Sequence, residues 1–469
     1  SGGLASNYNL TSAALTINKK VLNSNSSRIY DATTTAAASD ITLTNQVSGE
    51  ALQLSNAAAT SNANVGSYSI SNLSGITISD EAGANASSGA LAANYTLTGG
   101  THTFVINRKS VNIAGTRQYD GTTNIAAADI SSITDTVNSE VLSMSGGLGT
   151  TSSANVGAYN LVNTSQGTLT LANGPSGANQ GLASNYTLTG GTQDYTITQR
   201  VLTSSGSKAY DANTNALAAD ITLSNLVSGE ALNHSGTASI SSANAGSYTI
   251  TNLAGITIAD GSGGAASNYT LTGGTHNFTV NPKVISLSGL RLYDATTDAV
   301  ASDLTTISGL VGSETLNLSG TGSVANANVA NNKTVTLGTL ALADNSGLAA
   351  NYTLSGGTHQ LTVDQRPLNA TLARQYDGTT ASAGSDLSSF DALQGGETLT
   401  LSGSGTVGDE NVANGQAVTL GTLALVDGTG LASNYSLNSA SLNITERVLN
   451  SSGSKTYDAN TNALAADIT

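Results

Sequence analysis

The sequence contains no cysteine and no tryptophan, and it has only 1 methionine, 3 prolines and 3 phenylalanines in 469 residues. Without cysteine the chain has no disulfide framework, no thiolate zinc site and no cysteine nucleophile. Disulfides are only one way to stabilise a domain outside the cell, so their absence does not argue against export. No apolar run approaches the roughly 20 residues that span a bilayer, and Ser1-Gly2-Gly3-Leu4 is not a charged leader before an apolar stretch. We therefore expect a mature segment with no membrane insertion.

Basic residues are also few, because 15 Lys+Arg stand against 30 Asp+Glu and give a formal charge of −15. Nucleic-acid binding requires clustered Lys and Arg that displace counterions from phosphates, so we expect no nucleic-acid partner. Only 10% of the residues are charged, and 38% are hydrophobic. Such a composition is compatible with disorder, and the evidence for a fold has to come from periodicity.

Two short motifs recur in step along the whole chain. The first is Tyr-Asp-Ala/Gly, with the pairs Tyr30-Asp31, Tyr119-Asp120, Tyr210-Asp211, Tyr293-Asp294, Tyr376-Asp377 and Tyr457-Asp458. The second is Asn-Tyr-x-Leu, with the tyrosines Tyr8, Tyr95, Tyr186, Tyr269, Tyr352 and Tyr435. Each Asn-Tyr precedes the next Tyr-Asp by a nearly constant interval. Two markers in register predict a tandem array.

The same register defines the predicted repeats. We expect the C-terminal end of a preceding repeat at 1–18, five complete repeats at 19–107, 108–198, 199–281, 282–364 and 365–445, and the start of a further repeat at 446–469. Only a very short linker, such as Thr198 and Gln199, is left between repeats. A linker that short has no useful reach as a random coil, so we expect successive repeats to dock end to end as a rod.

Charged residues keep the register as well. A Lys or Arg lies ten residues and again two residues before each Tyr-Asp tyrosine, and an Asp lies directly after it and ten residues after it. Each complete repeat then carries a glutamate at an equivalent position, namely Glu50, Glu140, Glu230, Glu314 and Glu397. Calcium ligation by these carboxylates is one interpretation. The absence of an Asp-x-Asp-x-Asp cluster and the matched basic residues favour structural ion pairs and Asx turns, in which Asp31 and its equivalents cap the turn into Thr33 or its counterparts, with no metal bound.

The repeats are predicted to be all-β. Runs such as Phe104-Val105-Ile106, Tyr195-Thr196-Ile197, Phe278-Thr279-Val280, Leu361-Thr362-Val363 and Leu442-Asn443-Ile444 alternate with period two, which places their first and third residues in a core. Six or seven short strands per repeat match a small antiparallel β-sandwich. The pattern Asn-x-Gly-x-Tyr at Tyr68, Tyr159 and Tyr248 favours an immunoglobulin-like sandwich, in which the phenol bonds back to the backbone of the corner. The last two repeats lack this tyrosine, and a β-grasp-like or solenoid unit is the alternative.

One loop varies in length between repeats. It runs from a recurring Asp or Asn to the tyrosine of the next Asn-Tyr, and it starts at Asp80, Asn173, Asp260, Asp344 and Asp427. It is longest in the first repeat, shorter in the second and third, and shortest in the last two. Insertions there leave both motifs intact, which indicates a surface loop. Any specific recognition is expected in this loop.

Taken together, these motifs resemble a known family. The basic-x-Tyr-Asp-Gly/Ala start, the Gly-Glu turn, the Asn-Val-Gly corner and the Asn-Tyr-x-Leu ending are similar to the YDG-type and related MBG repeats of large secreted bacterial adhesins, including filamentous haemagglutinin-like proteins and biofilm-matrix adhesins. The resemblance covers essentially the whole chain, although Gly follows Tyr-Asp only at Gly121 and Gly378. It implies an extracellular stalk or fibre, exported by two-partner or similar secretion, that mediates attachment or biofilm cohesion.

Little in the sequence points to chemistry. His102, His276 and His359 follow Gly-Gly-Thr in equivalent hairpins at least one repeat apart, so they cannot share a metal, and we predict that they lie on the surface of turns. No Gly-x-Ser-x-Gly elbow with a histidine partner is present, so we predict no catalysis and no cofactor.

The aromatic residues and the sequons complete the functional prediction. For the Asn-Tyr-Thr/Ser sequons at Asn94, Asn185, Asn268, Asn351 and Asn434, a role in holding the backbone is preferred to glycosylation. All 16 tyrosines occupy repeat positions, which leaves Phe390 as the one aromatic free to bind a sugar. The sequence thus predicts a rigid, non-enzymatic spacer of an extracellular adhesin. The alternative is a binding module that recognises exopolysaccharide or other copies of the fibre through variable loops or strand edges.

Overall fold

A computed structural model describes residues 4–9, 11–12, 14–80, 91–160 and 166–469. Across these ranges the chain is all-β, because its helices there are 3-10 turns of three residues each. None of these helices is long and apolar enough to cross a bilayer. The all-β prediction is confirmed. Two compact units are present, one formed by residues 1–203, 223–234 and 257–275, the other by 204–222, 235–256 and 276–469.

The strands follow the same order in each predicted repeat. Repeat 1 has β1 Lys20–Val21, β2 Asn23–Ile29, β3 Thr35–Ala37, β4 Ile41–Thr44, β5 Leu52–Ala59, β6 Gly66–Ser69, β7 Ile76–Asp80, β8 Tyr95–Thr96 and β9 His102–Asn107. Repeat 2 has β10 Lys109–Ser110, β11 Asn112–Gln118, β12 Asn124–Ala126, β13 Ile130–Thr134, β14 Leu142–Gly146, β15 Leu148–Thr150, β16 Gly157–Asn160, β17 Thr170–Asn173, β18 Tyr186–Thr187 and β19 Gln193–Thr198. Repeat 3 has β20 Arg200–Val201, β21 Thr203–Ala209, β22 Asn215–Leu217, β23 Ile221–Ser224, β24 Leu232–Ser239, β25 Gly246–Thr249, β26 Ile256–Asp260, β27 Tyr269–Thr270 and β28 His276–Asn281.

The last two repeats continue this order. Repeat 4 has β29 Lys283–Val284, β30 Ser286–Leu292, β31 Asp298–Val300, β32 Thr306–Ser308, β33 Leu316–Ser319, β34 Thr321–Ser323, β35 Ala330–Thr334, β36 Ala341–Asp344, β37 Tyr352–Thr353 and β38 His359–Asp364. Repeat 5 has β39 Arg366–Gln375, β40 Ala381–Ala383, β41 Leu387–Phe390, β42 Leu399–Ser402, β43 Ser404–Val407, β44 Ala413–Thr419, β45 Ala424–Asp427 and β46 Tyr435–Thr445. The 3-10 turns of the described ranges are Ala5–Asn7, Ala38–Asp40, Ala92–Asn94, Ala127–Asp129, Val137–Ser139, Ala183–Asn185, Ala218–Asp220, Ala266–Asn268, Ala301–Asp303, Ala349–Asn351, Gly384–Asp386, Ala432–Asn434 and Ala465–Asp467.

The main sheet of each repeat is mixed rather than antiparallel. In repeat 1 its order is β4-β2-β9-β6, with β2 and β9 parallel at the centre and antiparallel strands on both sides. The same central pair recurs as β11 with β19, β21 with β28, β30 with β38 and β39 with β46. The prediction of purely antiparallel pairing is therefore wrong at this position. Local alternation does not encode strand direction, and the long chain between the first and last strand of a repeat leaves ample room for a crossover.

A second, antiparallel layer packs against this sheet and contains a recurring distortion of the backbone. In repeat 1 it has the order β3-β5-β7. Asn56 interrupts β5 with a φ of 68°, and Gly403 occupies the equivalent position in repeat 5 with a φ of 83°. Residues with a left-handed backbone are most often Gly or Asn, which explains why either residue type is found at this position.

The core lies between the two layers and includes the side chains that alternation predicted. Phe104, Ile106, Tyr195, Ile197, Phe278, Val280, Leu361, Val363, Leu442 and Ile444 are all 1% exposed or less. Full burial of such a side chain contributes about 1.5–3 kcal/mol. Phe390 is half-buried and packs against the core of repeat 5, so the expectation of an aromatic free for a sugar is wrong.

The connections between repeats are even shorter than the sequence suggested. β9 ends at Asn107 and β10 begins at Lys109, and β38 ends at Asp364 and β39 begins at Arg366. One residue separates the last strand of one repeat from the first strand of the next. The repeat boundaries themselves remain predictions.

Candidate functional site

The two repeated motifs meet where one repeat adjoins the next. We call this place a joint and define it by the Tyr-Asp tyrosine of one repeat together with the glutamate and the Asn-Tyr pair of the following repeat. The four joints are Tyr30 with Glu140, Asn185 and Tyr186; Tyr119 with Glu230, Asn268 and Tyr269; Tyr210 with Glu314, Asn351 and Tyr352; and Tyr293 with Glu397, Asn434 and Tyr435. The first two lie within the first compact unit, and the last two lie within the second.

Each joint is centred on the carboxylate of its glutamate. In the second joint the hydroxyl of Tyr119 donates to Glu230 Oε1 at 2.5 Å, and the hydroxyl of Tyr269 donates to Glu230 Oε2 at 2.6 Å. The corresponding distances in the other joints are 2.6–2.8 Å. Hydrogen bonds to an ionised acceptor are about twice as strong as neutral ones. One carboxylate therefore holds tyrosines from two successive repeats.

The two tyrosine rings of a joint also contact each other. Their centroids are 5.2–5.4 Å apart and their planes are inclined by 77–80°, an edge-to-face arrangement. Such pairs contribute about 0.5–1.5 kcal/mol beyond the area that they bury. The Tyr269 hydroxyl additionally accepts the backbone N–H of Val227 at 3.0 Å, which fixes it within its own repeat.

The environment of the joint opposes ionisation of its tyrosines. Burial, followed by the hydrogen bond and the charge of the glutamate, raises the pKa of Tyr30, Tyr119 and Tyr210 to about 12. Burial and the Glu397 carboxylate likewise raise the pKa of Tyr435 to about 12. The neutral phenol is thus the form that the joint stabilises, because a phenolate would face a carboxylate without a proton between them.

The asparagine of each Asn-Tyr pair forms a second bond across the joint. Asn268 is 1% exposed, its Oδ1 accepts the backbone N–H of Val156 at 2.9 Å, and its Nδ2 donates to Asn155 Oδ1 at 2.9 Å. Asn185, Asn351 and Asn434 make the same two bonds to the preceding repeat. The predicted backbone role of these sequons is confirmed at four of the five positions. Asn94, the fifth, is exposed.

A basic residue at the start of a repeat adds to the joint. Arg200 donates from Nε to the carbonyl of Asn225 at 2.6 Å within its own repeat and from a terminal nitrogen to the carbonyl of Tyr119 at 3.4 Å in the preceding one. Arg366 contacts the carbonyl of Tyr293 at 3.3 Å in the same way. Arg200 and Arg366 therefore connect the start of their own repeat to the Tyr-Asp tyrosine of the preceding one.

The aspartate of Tyr-Asp organises the turn that follows it. Asp120 accepts the backbone N–H of Thr122 at 2.8 Å and pairs with Arg117 at 2.5 Å. Equivalent ion pairs join Arg28 to Asp31, Lys208 to Asp211, Arg291 to Asp294, Arg374 to Asp377 and Lys455 to Asp458. The Asp31 side chain likewise accepts the N–H of Thr33 at 2.9 Å. The prediction of Asx turns and structural ion pairs is confirmed at these residues.

The corner of each repeat carries a further recurring bond. The hydroxyl of Tyr68 donates to the carbonyl of Asn64 at 2.7 Å, and Tyr248 donates to Asn244 at 2.6 Å, as predicted for the tyrosine corner. In the two repeats without this tyrosine another side chain takes its place. The ammonium of Lys333 donates to the carbonyl of Asn328, and Gln416 donates to that of Asn411 at 2.9 Å.

The variable loop is tied at its base to the joint. The carboxylate of Asp260 accepts the N–H of Ala266 at 2.7 Å, at the start of the 3-10 turn that ends in Asn268. Asp80, Asn173, Asp344 and Asp427 make the same bond in their repeats. Insertions in the loop therefore leave the joint asparagine in place. In repeat 1, residues 81–90 of this loop lie outside the described residues.

The prediction that three histidines lie on the surface of turns is wrong. His102, His276 and His359 are buried, with only 3–6% of each residue exposed. Each is the first residue of the last strand of its repeat, where the pleat directs the side chain inward. The ring of His102 contacts Ser24 Oγ at 3.0 Å and the carbonyl of Leu97 at 2.8 Å. In repeat 2, Gln193 donates to the equivalent carbonyl of Leu188 at 2.8 Å, so an amide can replace the imidazole.

Over the part of the chain that the structure describes, no group of three or more His, Asp or Glu side chains is close enough to hold a metal ion. The glutamates that the sequence left as calcium candidates instead accept hydrogen bonds from tyrosines. Sequence reasoning missed this role. The available signal was that each glutamate follows the Tyr-Asp tyrosine of its own repeat by 20 or 21 residues.

The fold and the joints define an all-β protein of tandem repeats. Comparison with known families adds that the YDG domain matches residues 11–103, 193–276, 279–360 and 358–444, well over half of the chain. The chain belongs to the YDG domain family. A search of curated proteins finds no match.

Proposed function

We propose that this segment is a rigid stalk or spacer of an extracellular bacterial adhesin or surface fibre, serving attachment or biofilm cohesion and having no catalytic role. The observation that carries the proposal is the joint, in which one glutamate carboxylate binds tyrosines of two successive repeats. A repeat that only had to be connected to its neighbour would not need this arrangement.

Several contacts within each unit support stiffness between neighbouring repeats. A joint combines two hydrogen bonds to a charged group, an edge-to-face ring pair and an asparagine bonded to the neighbouring corner. Hydrogen bonds to charged groups contribute about 1.5–3 kcal/mol each. A linker of one residue adds a covalent restriction, because it cannot behave as a flexible chain.

The placement of the aromatic residues supports a spacer rather than a lectin. Sugar-binding surfaces need exposed aromatic rings, whereas the tyrosines of the joints are buried or bonded within the repeat framework. Phe390 packs on a core.

The finer fold class is also part of the proposal. We infer that each repeat closes as a small two-layered unit of the β-grasp-like type. Immunoglobulin-like sandwiches are built from antiparallel sheets, so the parallel pair β2 and β9 favours the alternative.

A binding module is the second candidate, and one feature favours it. The variable loop of repeat 2 is exposed over residues 175–180 and closed at its base by Asn173 and Ala183. Such a loop can change its sequence without disturbing the joint. Its partner would be exopolysaccharide or another copy of the fibre.

Surface display separates the two candidates. The chain is displayed on a bacterial surface with and without a small domain of known target at its exposed end, and adhesion to a target-coated surface is measured. A spacer gives adhesion only with the added domain, and replacing Glu140, Glu230, Glu314 and Glu397 by Ala lowers that adhesion. Adhesion to polysaccharide, or cell clumping, without the added domain supports the binding module and contradicts the spacer.

A further inference from the structure

We propose that each repeat is a mechanical clamp that resists tension along the chain by shear between its first and last long strands. The inference deepens the proposed stalk function and rests on it for its biological meaning, but its physical claim concerns a single repeat. The observation behind it is that the strands through which tension enters and leaves a repeat are hydrogen-bonded parallel neighbours.

The direction of the load follows from connectivity. Tension passes into repeat 1 at the start of β2 and out at the end of β9, because one residue then leads into β10. Since β2 and β9 are parallel, these two points lie at opposite ends of the pair. Pulling them apart slides one strand along the other, so the rungs of the ladder are stressed together. In an antiparallel terminal pair the two points would lie at the same end, and the rungs would break one after another.

The paired stretch is long for strands of this size. Six residue pairs join β2 and β9, from Ser24 with His102 to Ile29 with Asn107. The pairs β11 with β19, β21 with β28 and β30 with β38 also have six each. Rungs in a parallel ladder are evenly spaced, so they share a shear load more uniformly than the alternating pairs of an antiparallel ladder.

Both ends of the pair are closed by further bonds. At the exit end the N–H of Tyr30 donates to the carbonyl of Asn107 at 2.9 Å, and Tyr119, Tyr210, Tyr293 and Tyr376 make the same bond. At the entry end the N–H of Leu22 donates to Thr96 at 2.9 Å, next to the short parallel pair β1 and β8. The tyrosine of Tyr-Asp therefore belongs both to the clamp of its own repeat and to the joint with the next.

Repeat 5 has the longest clamp. Its β39 and β46 run parallel over ten residue pairs, from Arg366 with Tyr435 to Gln375 with Thr445, interrupted by a single shift of register. In repeats 1 to 4 a turn separates the two parts of the last strand, such as β8 and β9, whereas in repeat 5 they form one continuous strand. We expect repeat 5 to withstand the highest force.

The absence of cysteine allows a direct test on the full chain. Single-molecule pulling through introduced thiols can load the same folded repeat in two directions. The shear variant carries Asp364→Cys, at the last residue of β38 and two residues before β39, and Glu446→Cys, directly after β46. The control carries Gln375→Cys and Glu446→Cys, which lie at the same end of both strands and peel them apart. All three side chains are exposed, so the fold is expected to be the same in both variants, and matching melting curves check this.

At equal loading rate, the unfolding force of repeat 5 should be at least about twofold higher in the shear variant than in the peeling control. Each shear event should release about 260 Å of chain, because 82 residues extend to roughly 295 Å and the two attachment points start roughly 35 Å apart. Equal forces in the two directions would overturn the clamp, because a strand pair that serves only the core resists both alike. If the display experiment fails but the force is much higher in the shear variant, the stalk is rejected and the clamp is kept. If the display experiment succeeds but the two forces are equal, the clamp is rejected and the stalk is kept.

Discussion

The ring of Tyr119 meets the ring of Tyr269 edge-on, with 5.4 Å between centroids and 79° between planes, although the two tyrosines belong to successive repeats. Each comes from a different short motif, and both donate to Glu230. The two periodic signals of the sequence therefore mark the two sides of one contact.

Removal of the joint carboxylate should uncouple two repeats. Glu230→Ala deletes the Tyr119 hydrogen bond that crosses the joint and the Tyr269 hydrogen bond within repeat 3. Because only the first joins two repeats, we expect a loss of about 1.5–3 kcal/mol in the coupling between repeats 2 and 3. Scanning calorimetry of the full chain should show an added or earlier transition.

Glu50→Ala is the matched control for that experiment. Among the described residues, the Glu50 carboxylate accepts from Tyr95 of its own repeat and from no tyrosine of another. Glu50→Ala should lower the stability of repeat 1 alone and should add no separate unfolding transition to the calorimetric trace. If Glu230→Ala and Glu50→Ala gave the same thermogram, the coupling role of the joint would be wrong.

The joints should fail at alkaline pH. The folded pKa values of Tyr30, Tyr119, Tyr210 and Tyr435 are raised to about 12, above the ordinary value of about 10. Between these values the unfolded chain loses protons that the folded chain retains, so stability is fully present below pH about 10 and is lost as the pH rises through about 12. Absorbance of tyrosinate followed together with circular dichroism should show these tyrosines ionising only as the fold is lost. Ionisation near pH 10 with an intact fold would contradict the buried pairing.

The corner bond should tolerate any donor of suitable length. Lys333→Gln keeps a donor toward the carbonyl of Asn328 and should be close to neutral, because Gln416 already serves this role in repeat 5. Lys333→Met leaves that carbonyl without its partner and should destabilise repeat 4 by about 1 kcal/mol. Denaturation of the two variants checks this, and equal stability of both would show that the bond contributes nothing.

Glycan occupancy should report burial of the joint asparagines. In a host that modifies Asn-x-Thr/Ser sequons, the folded chain should carry sugar at Asn94, which is exposed, and not at Asn185, Asn268, Asn351 or Asn434, which are 1–2% exposed. Peptide mass spectrometry reads this directly. Modification of Asn268 in folded protein would mean that the joint opens.

The sequence correctly predicted the structural features that depend on short-range sequence patterns. The inward positions of Phe104 and Ile106, the turn at Asp31 and the phenol bond of Tyr68 all follow from spacing within a few residues. Local spacing could not predict the direction of β9 relative to β2 or the burial of His102. Both depend on the pairing of β2 with β9, which joins residues 78 positions apart such as Ser24 and His102.

The joint shows the same limit more clearly. Spacing predicted that repeats would dock, but Tyr30 and Glu140 are 110 residues apart and belong to different repeats. A periodic sequence does not state which copy of a residue is the partner. Only the three-dimensional arrangement assigns Glu140 to the tyrosine of the preceding repeat.

The most direct test of a stiff joint is a distance distribution measured across it. Spin labels are attached to cysteines introduced by Ser55→Cys in repeat 1 and Ser132→Cys in repeat 2. Both positions are exposed and lie within the first compact unit. Double electron–electron resonance should give one narrow distance in the otherwise unchanged chain and a broad distribution after Glu140→Ala. A broad distribution before any change at Glu140 would contradict the account.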